Sequence, residues 1–554
     1  MKLLPPRLSG AALRSLARAA RAPLAARAAY EVLRNDFRLH RLEEPGPEHR
    51  GDAAAATVLV AGAPPRPARD AGLGPPSSRE ATTELYRRRY EAGLSPGAAV
   101  TEALARARQL AARSPSLGSM LDYAETEALR AAEASAARHR AGRPLSPWDG
   151  VPVVVKEEMA VLGLPRRVGT QVIDGAPQPR DGTLVARLRG AGALVLGTTP
   201  MTELGLSPLG VSPLRALPRH PLDPGRVAGG SSTGSGVAVA TGVVPMAVGC
   251  DGGGSIRIPA AVCGVFGLKP TFGRVSRAGQ VTAGTLEHFG PLASSSLDLA
   301  RALEVMAGPD PADAATLLAP VRRAGSFERA LGRGVAGLRV GVFDSEWLDA
   351  DAPVVRAGQE ALRALVAEGV TLVPLASPLL ALAPTLGYLL LPLAARAFLH
   401  EAWRTRPDDL GPDLQLTLAA ASHVPAFEYL RAQELRTGLR RELARLLAAV
   451  DVVALPATQT VAPAVDDTAF ASGVLWPEAV QAMCRFTFLA NLTGVPAASV
   501  PVGVDAAGMP IGLQILGDVW DEESVLAVAA HLERLGVARL EPALRARFPA
   551  AVPG

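Results

Sequence analysis

The chain has 554 residues, is 48% hydrophobic and 20% charged, and carries a net charge of +4. That length supports a large buried core, and so mild a charge, with no basic stripe interleaved with aromatics, gives no sign of a nucleic-acid partner. Three cysteines (Cys250, Cys263, Cys484) form no CxxC pair and eight histidines show no HExxH spacing, so neither a disulfide framework nor a metal site is expected, and a reducing, cytoplasmic setting is the simplest reading.

Residues 1–42 are rich in Arg, Ala and Leu, and arginine interrupts every apolar run, unlike a signal peptide or a transmembrane helix. The segment reads either as a helix packed on the body or as an interfacial helix or entrance cap in peripheral contact with a membrane, with a transit peptide as a third reading. No later segment is expected to span a bilayer. Residues 43–80 are rich in Pro, Gly and Ala and read as a wrap or linker. The expected division is therefore an N-terminal helical extension and linker over 1–80 and one catalytic domain over 81–554.

From residue 81 the pattern alternates. Residues 97–140 carry two helices with apolar spacing of 3–4, and "DGVPVVVK" (149–156) then reads as a strand. Helix-then-strand units follow at 182–199 and 234–251. "SSLDLARALEVMAG" (295–308) begins with a serine cap and an early aspartate, as a helix start should. Strand, helix and strand recur over 337–375. A long helix at 427–449 feeds "DVVALPAT", and "AASVPVGV", "IGLQILG" and a helix from about 521 complete the series. This alternation predicts an α/β fold with a large mixed twisted sheet flanked by helices on both faces.

Three short stretches carry chemistry. The chain has only three lysines, Lys2, Lys156 and Lys269, and uses arginine elsewhere. Lys156 ends an apolar strand. It reads either as a lysine paired with Glu157 or Glu158, or as a general base, because arginine pairs better with carboxylates but does not release its proton near neutral pH. Lys269 lacks so long an apolar run before it and is assigned a structural role. In "GCDGGGSIRIP" (249–259), three glycines precede Ser255. This is either a tight turn needing positive φ, or a nest of backbone amides placed beside a nucleophile for acyl transfer. The Gly/Ser loop at 225–242 lacks the lysine of a phosphate-binding P-loop. Its GxSxG match, Gly230–Gly234, lacks the preceding strand that a nucleophile elbow requires.

"GVPVVVKEE", "GGSSTGSG" and "GCDGGGSIRIPAAVCGVFGLKPTFGRVS" together resemble the amidase signature family, and the likeness continues through "DVVALPATQTVAP" and "LTGVPAASVPVGVDAAGMPIGLQILG". The resemblance implies a Ser-cisSer-Lys triad: Ser255 as nucleophile, Ser231 as the bridging serine on a cis peptide, and Lys156 as base. It implies an oxyanion hole from the amides of Gly252, Gly253, Gly254 and Ser255. Ser232 would support the triad by hydrogen bonding, and Asp251 and Arg257 would pair to brace the turn. No metal or organic cofactor is implied.

Two positions depart from the family pattern, Thr233 in place of a glycine and His220 within Arg219-His220-Pro221, and both are expected to reshape the rim of the site. Through its N-terminal region the chain looks most like plant-type fatty acid amide hydrolases, which implies N-acyl (fatty) amides as substrates. The alternative is a general amidase or aryl acylamidase acting on small or aromatic amides, esters or carbamates. A catalytically silent scaffold and an amidotransferase subunit stand behind these two. The expected partner is a small-molecule amide, with a homodimer as the expected assembly. "LLALAPTLGYLLLPLAARAFLH" (379–400) and "CRFTFLANL" (484–492) read either as walls of an acyl channel or as core packing.

Overall fold

The structure is a computed structural model that describes residues 7–53, 82–281, 284–539 and 542–548. Most of the expected linker, beyond residue 53, lies outside the described residues. Among the described residues there are twelve strands in two sheets. The short strands β1 (Leu8–Ser9) and β10 (Val474–Leu475) pair only with each other. The other ten form one sheet in the order β3 (Leu194–Thr199), β2 (Pro152–Lys156), β4 (Met246–Asp251), β6 (His288–Ala293), β5 (Phe266–Lys269), β11 (Ala497–Val504), β12 (Pro510–Leu516), β9 (Val452–Pro456), β7 (Arg339–Val342), β8 (Thr371–Pro374). Both flanks, β3-β2-β4 and β9-β7-β8, are parallel, and the joins through the middle are antiparallel.

The mixed α/β sheet matches the expectation. β2 shows why the run "VVV" is unbroken: Val154 enters the core on one face while Val153 and Val155 enter the core on the other. Strands β5 and β6 have no counterpart among the elements expected from sequence. β5 has four residues, and Gly290-Pro291 interrupts β6, so neither offers a strong alternating or apolar run.

The N-terminal extension is packed on the body. Helix Gly10–Ala19 buries Leu13 and Ala17 against Leu416 and Ala419, and helix Pro23–Asp36 buries Ala26 and Tyr30. Tyr30 donates a 2.7 Å hydrogen bond to Glu428, and Arg21 binds Asp408 at 2.6 Å. These are the contacts that the first of the three sequence readings expects. A correction concerns Leu380–Phe398, which is long and apolar enough to cross a membrane although no such segment is expected from the sequence. Half of it is buried in the body, as in a core helix of a folded domain.

Candidate active site

Parallel strands β2 and β4 are neighbours, so their C-terminal ends open on one edge of the sheet, where α/β folds place their ligands. Lys156 is the last residue of β2 and Asp251 the last of β4. The turn Gly252–Ser255 follows directly and leads into helix Arg257–Cys263. The Gly230–Ser231 peptide is cis, and the residues after it open helix Thr233–Ala240, which packs on β2, β3 and β4.

This arrangement brings Lys156 into contact with Ser231 and sets Ser255 on the same small cavity, with no hydrogen bond between the Ser231 and Ser255 hydroxyls among the described residues. Lys156 Nζ donates to Ser231 Oγ at 2.8 Å and to the Cys250 carbonyl at 3.4 Å. It also lies 3.1 Å from Glu158 Oε1. Lys156, Ser231 and Ser255 are 1%, 1% and 8% exposed. The lysine thus has both the carboxylate partner of one reading and the serine contact of the other. Glu157 points elsewhere, accepting from Met201 N and Arg215. Lys269 is equally buried and donates to the carbonyls of Pro270 and Val495. Burial and then the charge of Arg257 hold it well below the usual lysine range. Burial at a strand end therefore does not distinguish the two lysines, whereas the Ser231 contact does.

The turn carries the backbone donors. Gly254 departs from its expected role, because its amide already donates to Asp251 Oδ1 at 2.7 Å. The amides of Gly252, Gly253 and Ser255 have no acceptor among the described residues and remain available. Glycine is required here: Gly254 sits at φ +125°, and a Cβ on Gly253 would lie 2.5 Å from the Phe488 ring. Ser232 acts through backbone rather than through the triad side chains. Its Oγ bridges Cys250 N and O, both at 3.3 Å, and its amide donates to the Ser255 carbonyl at 3.3 Å.

Asp251 and Arg257 are wholly buried and joined twice, at 2.9 and 2.8 Å. Arg257 further donates to Thr487 O at 2.8 Å and Asn491 Oδ1 at 2.6 Å, and Asn491 donates to Asp251 O at 2.7 Å. Burial alone would raise the Asp251 carboxyl, but the Arg257 guanidinium and these hydrogen bonds outweigh it and hold the group well below the usual carboxylate range. The pair fixes the turn from behind.

Two cavities meet at Ser255. A mainly apolar one of about 160 Å³ runs past Gly253 to the N-terminal helix, with Leu33, Phe37, Tyr388, Trp476 and Phe488 on its walls. Both segments that sequence left between channel wall and core packing contribute, through Tyr388 and Leu391 and through Cys484 and Phe488. Two acids also reach this wall. Burial and then Asp413 push the Glu203 carboxyl up to about 8, and burial pushes Asp413 up to about 6. Both shifts favour the uncharged form of the carboxyl. The smaller cavity, about 40 Å³, is lined by Lys156, Ser231, Gly252 and Ser255 together with Glu158 and Glu287. Sequence reasoning missed Glu287, and nothing in its surroundings marks it.

The two departures from the family pattern do not shape this rim. His220 is fully buried, its Nε2 2.8 Å from Val262 O and its Nδ1 accepting from the amides of Leu222 and Asp223. Burial pushes its imidazole down to about 4. Thr233 is also fully buried, and neither residue lines either cavity.

The family model for amidases matches residues 99–526. A glutamyl-tRNA(Gln) amidotransferase subunit from Chloroflexus aggregans is 34% identical over 450 residues, covering 76% of this chain and 90% of that one. One solved structure, from a vestigial protein complex bearing on the origins of an s-triazine catabolic enzyme, superposes with a TM-score of 0.76 at 31% identity, covering 83% of this chain and 99% of that one. A bacterial aryl acylamidase of the amidase signature family superposes with a TM-score of 0.73 at 25% identity, covering 86% of this chain and 99% of that one. These relatives do not carry the finer resemblance to plant-type fatty acid amide hydrolases. The fold, the family model and these relatives agree that the chain is an amide-bond enzyme belonging to the amidase family.

Proposed function

We propose that the protein hydrolyses linear amides with an apolar acyl group, aliphatic or aromatic, through an acyl-enzyme on Ser255. The observation that carries this reading is the mainly apolar cavity opening on Ser255 beside the unpaired amides of Gly252, Gly253 and Ser255. Ser255 attacks the carbonyl and passes its proton to Ser231, which passes its own to Lys156. Lys156, 2.8 Å from Ser231 Oγ, is the base that ends this relay. The free amides hold the oxyanion. The relay then returns a proton to the departing nitrogen, and water cleaves the acyl-enzyme.

The chemistry supports a general amidase with apolar substrates. The reach of the cavity to the N-terminal helix favours long acyl chains within that class. The deciding experiment measures kcat/KM on primary amides from acetamide to dodecanamide, with Ser255→Ala as control. A rise with chain length supports long acyl substrates, a flat series limits the enzyme to small ones, and turnover that survives Ser255→Ala overturns the mechanism. The identity with amidotransferase subunits favours a second reading, release of ammonia from glutamine. That reading predicts L-glutamine turnover above that of any apolar amide, which the apolar walls disfavour.

A further inference from the structure

The two cavities at Ser255 are not equivalent, and the difference fixes which way a substrate lies. Lys156 and Ser231 line the small cavity and not the large one. A departing amine must receive its proton as the C–N bond breaks, and the donor must be within hydrogen-bond reach of that nitrogen. Ser231 is the last member of the relay to touch it, so the nitrogen must sit on the Ser231 side of Ser255. We propose that the small cavity, which holds Lys156 and Ser231, receives the amine half of the substrate and the larger cavity the acyl half, which restricts the enzyme to amides of ammonia or a very small, uncharged or cationic amine. This inference rests on the Lys156–Ser231–Ser255 reading above.

Size sets the first limit. The small cavity holds about 40 Å³, room for about three water-sized groups at ~10–15 Å³ each, against about 160 Å³ on the acyl side. Leu391 stands where the two spaces meet, as do Gly205 and Leu206. The methyl groups of Leu391 lie 3.4 Å and 3.2 Å from where Cβ atoms on Gly252 and Gly253 would stand. Charge sets the second limit. Glu158 is 6% exposed, and its Oε1 accepts no hydrogen bond although Lys156 Nζ is 3.1 Å away. Glu287 adds a second carboxyl to the same wall. Amine N–H groups match such a wall, and an amine bearing a carboxylate meets like charge.

The test holds the acyl group fixed as decanoyl and varies the amine: ammonia, ethanolamine, aniline and glycine. The wild type is expected to favour decanamide over decanoylanilide, and decanoylethanolamine over decanoylglycine, each by about tenfold or more in kcat/KM. Leu391→Ala is expected to narrow the first ratio by widening the place where the spaces meet, and Glu287→Gln to narrow the second by removing one charge. A wild-type enzyme that turns over the anilide or the glycine conjugate as fast as its partner overturns the proposal, as do ratios that neither variant moves. Failure of the underlying mechanism is separate: it shows as decanamide turnover that survives Ser255→Ala.

Discussion

Lys156 Nζ lies 2.8 Å from Ser231 Oγ, the shortest of its contacts, while its neighbour Glu158 stands 3.1 Å away. The lysine therefore has two jobs that a mutation can separate. Lys156→Arg and Lys156→Ala are both expected to lower kcat/KM by ~10²–10⁴, the range of a lost acid–base group, because charge alone does not serve the relay. Lys156→Ala also strands the buried Glu158 carboxylate, at a cost of about 3–5 kcal/mol. The double variant Lys156→Ala/Glu158→Gln is expected to regain part of the lost Tm and none of the activity. Activity and Tm that recover together would make the lysine a structural ion pair.

Asp251 and Arg257 give a pH signature. The folded-state pKa of Asp251 is depressed below the unfolded value near ~3.9, so its contribution to stability is complete above that value and is lost as pH falls below it. Asp251→Asn is expected to cost about 3–5 kcal/mol at neutral pH, since it leaves Arg257 buried with a broken pair. It is also expected to flatten the acid limb of a urea-denaturation series below pH 4. An equally steep limb in the variant would place the acid sensitivity elsewhere.

Glu203 works in the opposite direction. Its carboxyl, pushed up to about 8 by burial and Asp413, ionises above that value, placing a charge in the apolar cavity. KM for an apolar amide is expected to rise above pH 8 in the wild type. Glu203→Gln keeps an acceptor for Thr170 or Gly411 and should remove that rise. A rise that persists in the variant would contradict the assignment.

The N-terminal helix forms the far wall of the cavity through Leu33 and Phe37, and Phe37 stacks on Tyr388 with ring centroids 4.3 Å apart. Leu33→Trp is expected to lower the dodecanamide-to-butyramide ratio of kcat/KM by about tenfold. If the helix served packing alone, the ratio would stay fixed while Tm moved.

Much of this was legible in the sequence because it rests on local patterns. The VVV run before Lys156 and the three glycines before Ser255 mark a strand end and a turn by composition, while Ser231 and Ser232 stood out only through the resemblance to the amidase signature family. Long-range geometry was not legible. That Gly254 spends its amide on Asp251, that Glu158 and not Glu157 faces Lys156, and that Leu33 and Phe37 reach a cavity opening on Ser255 all depend on how distant segments pack. The short strands β5 and β6 were hidden for a related reason, since their pairing partners and not their own residues hold them in the sheet.

The most direct test is to trap the acyl-enzyme. The protein is incubated with p-nitrophenyl decanoate, quenched in acid, digested and read by mass spectrometry. A decanoyl adduct is expected on the peptide containing Ser255, absent in Ser255→Ala and formed far more slowly in Lys156→Ala. An adduct on any other residue, or one that forms undiminished in Ser255→Ala, would contradict the mechanism.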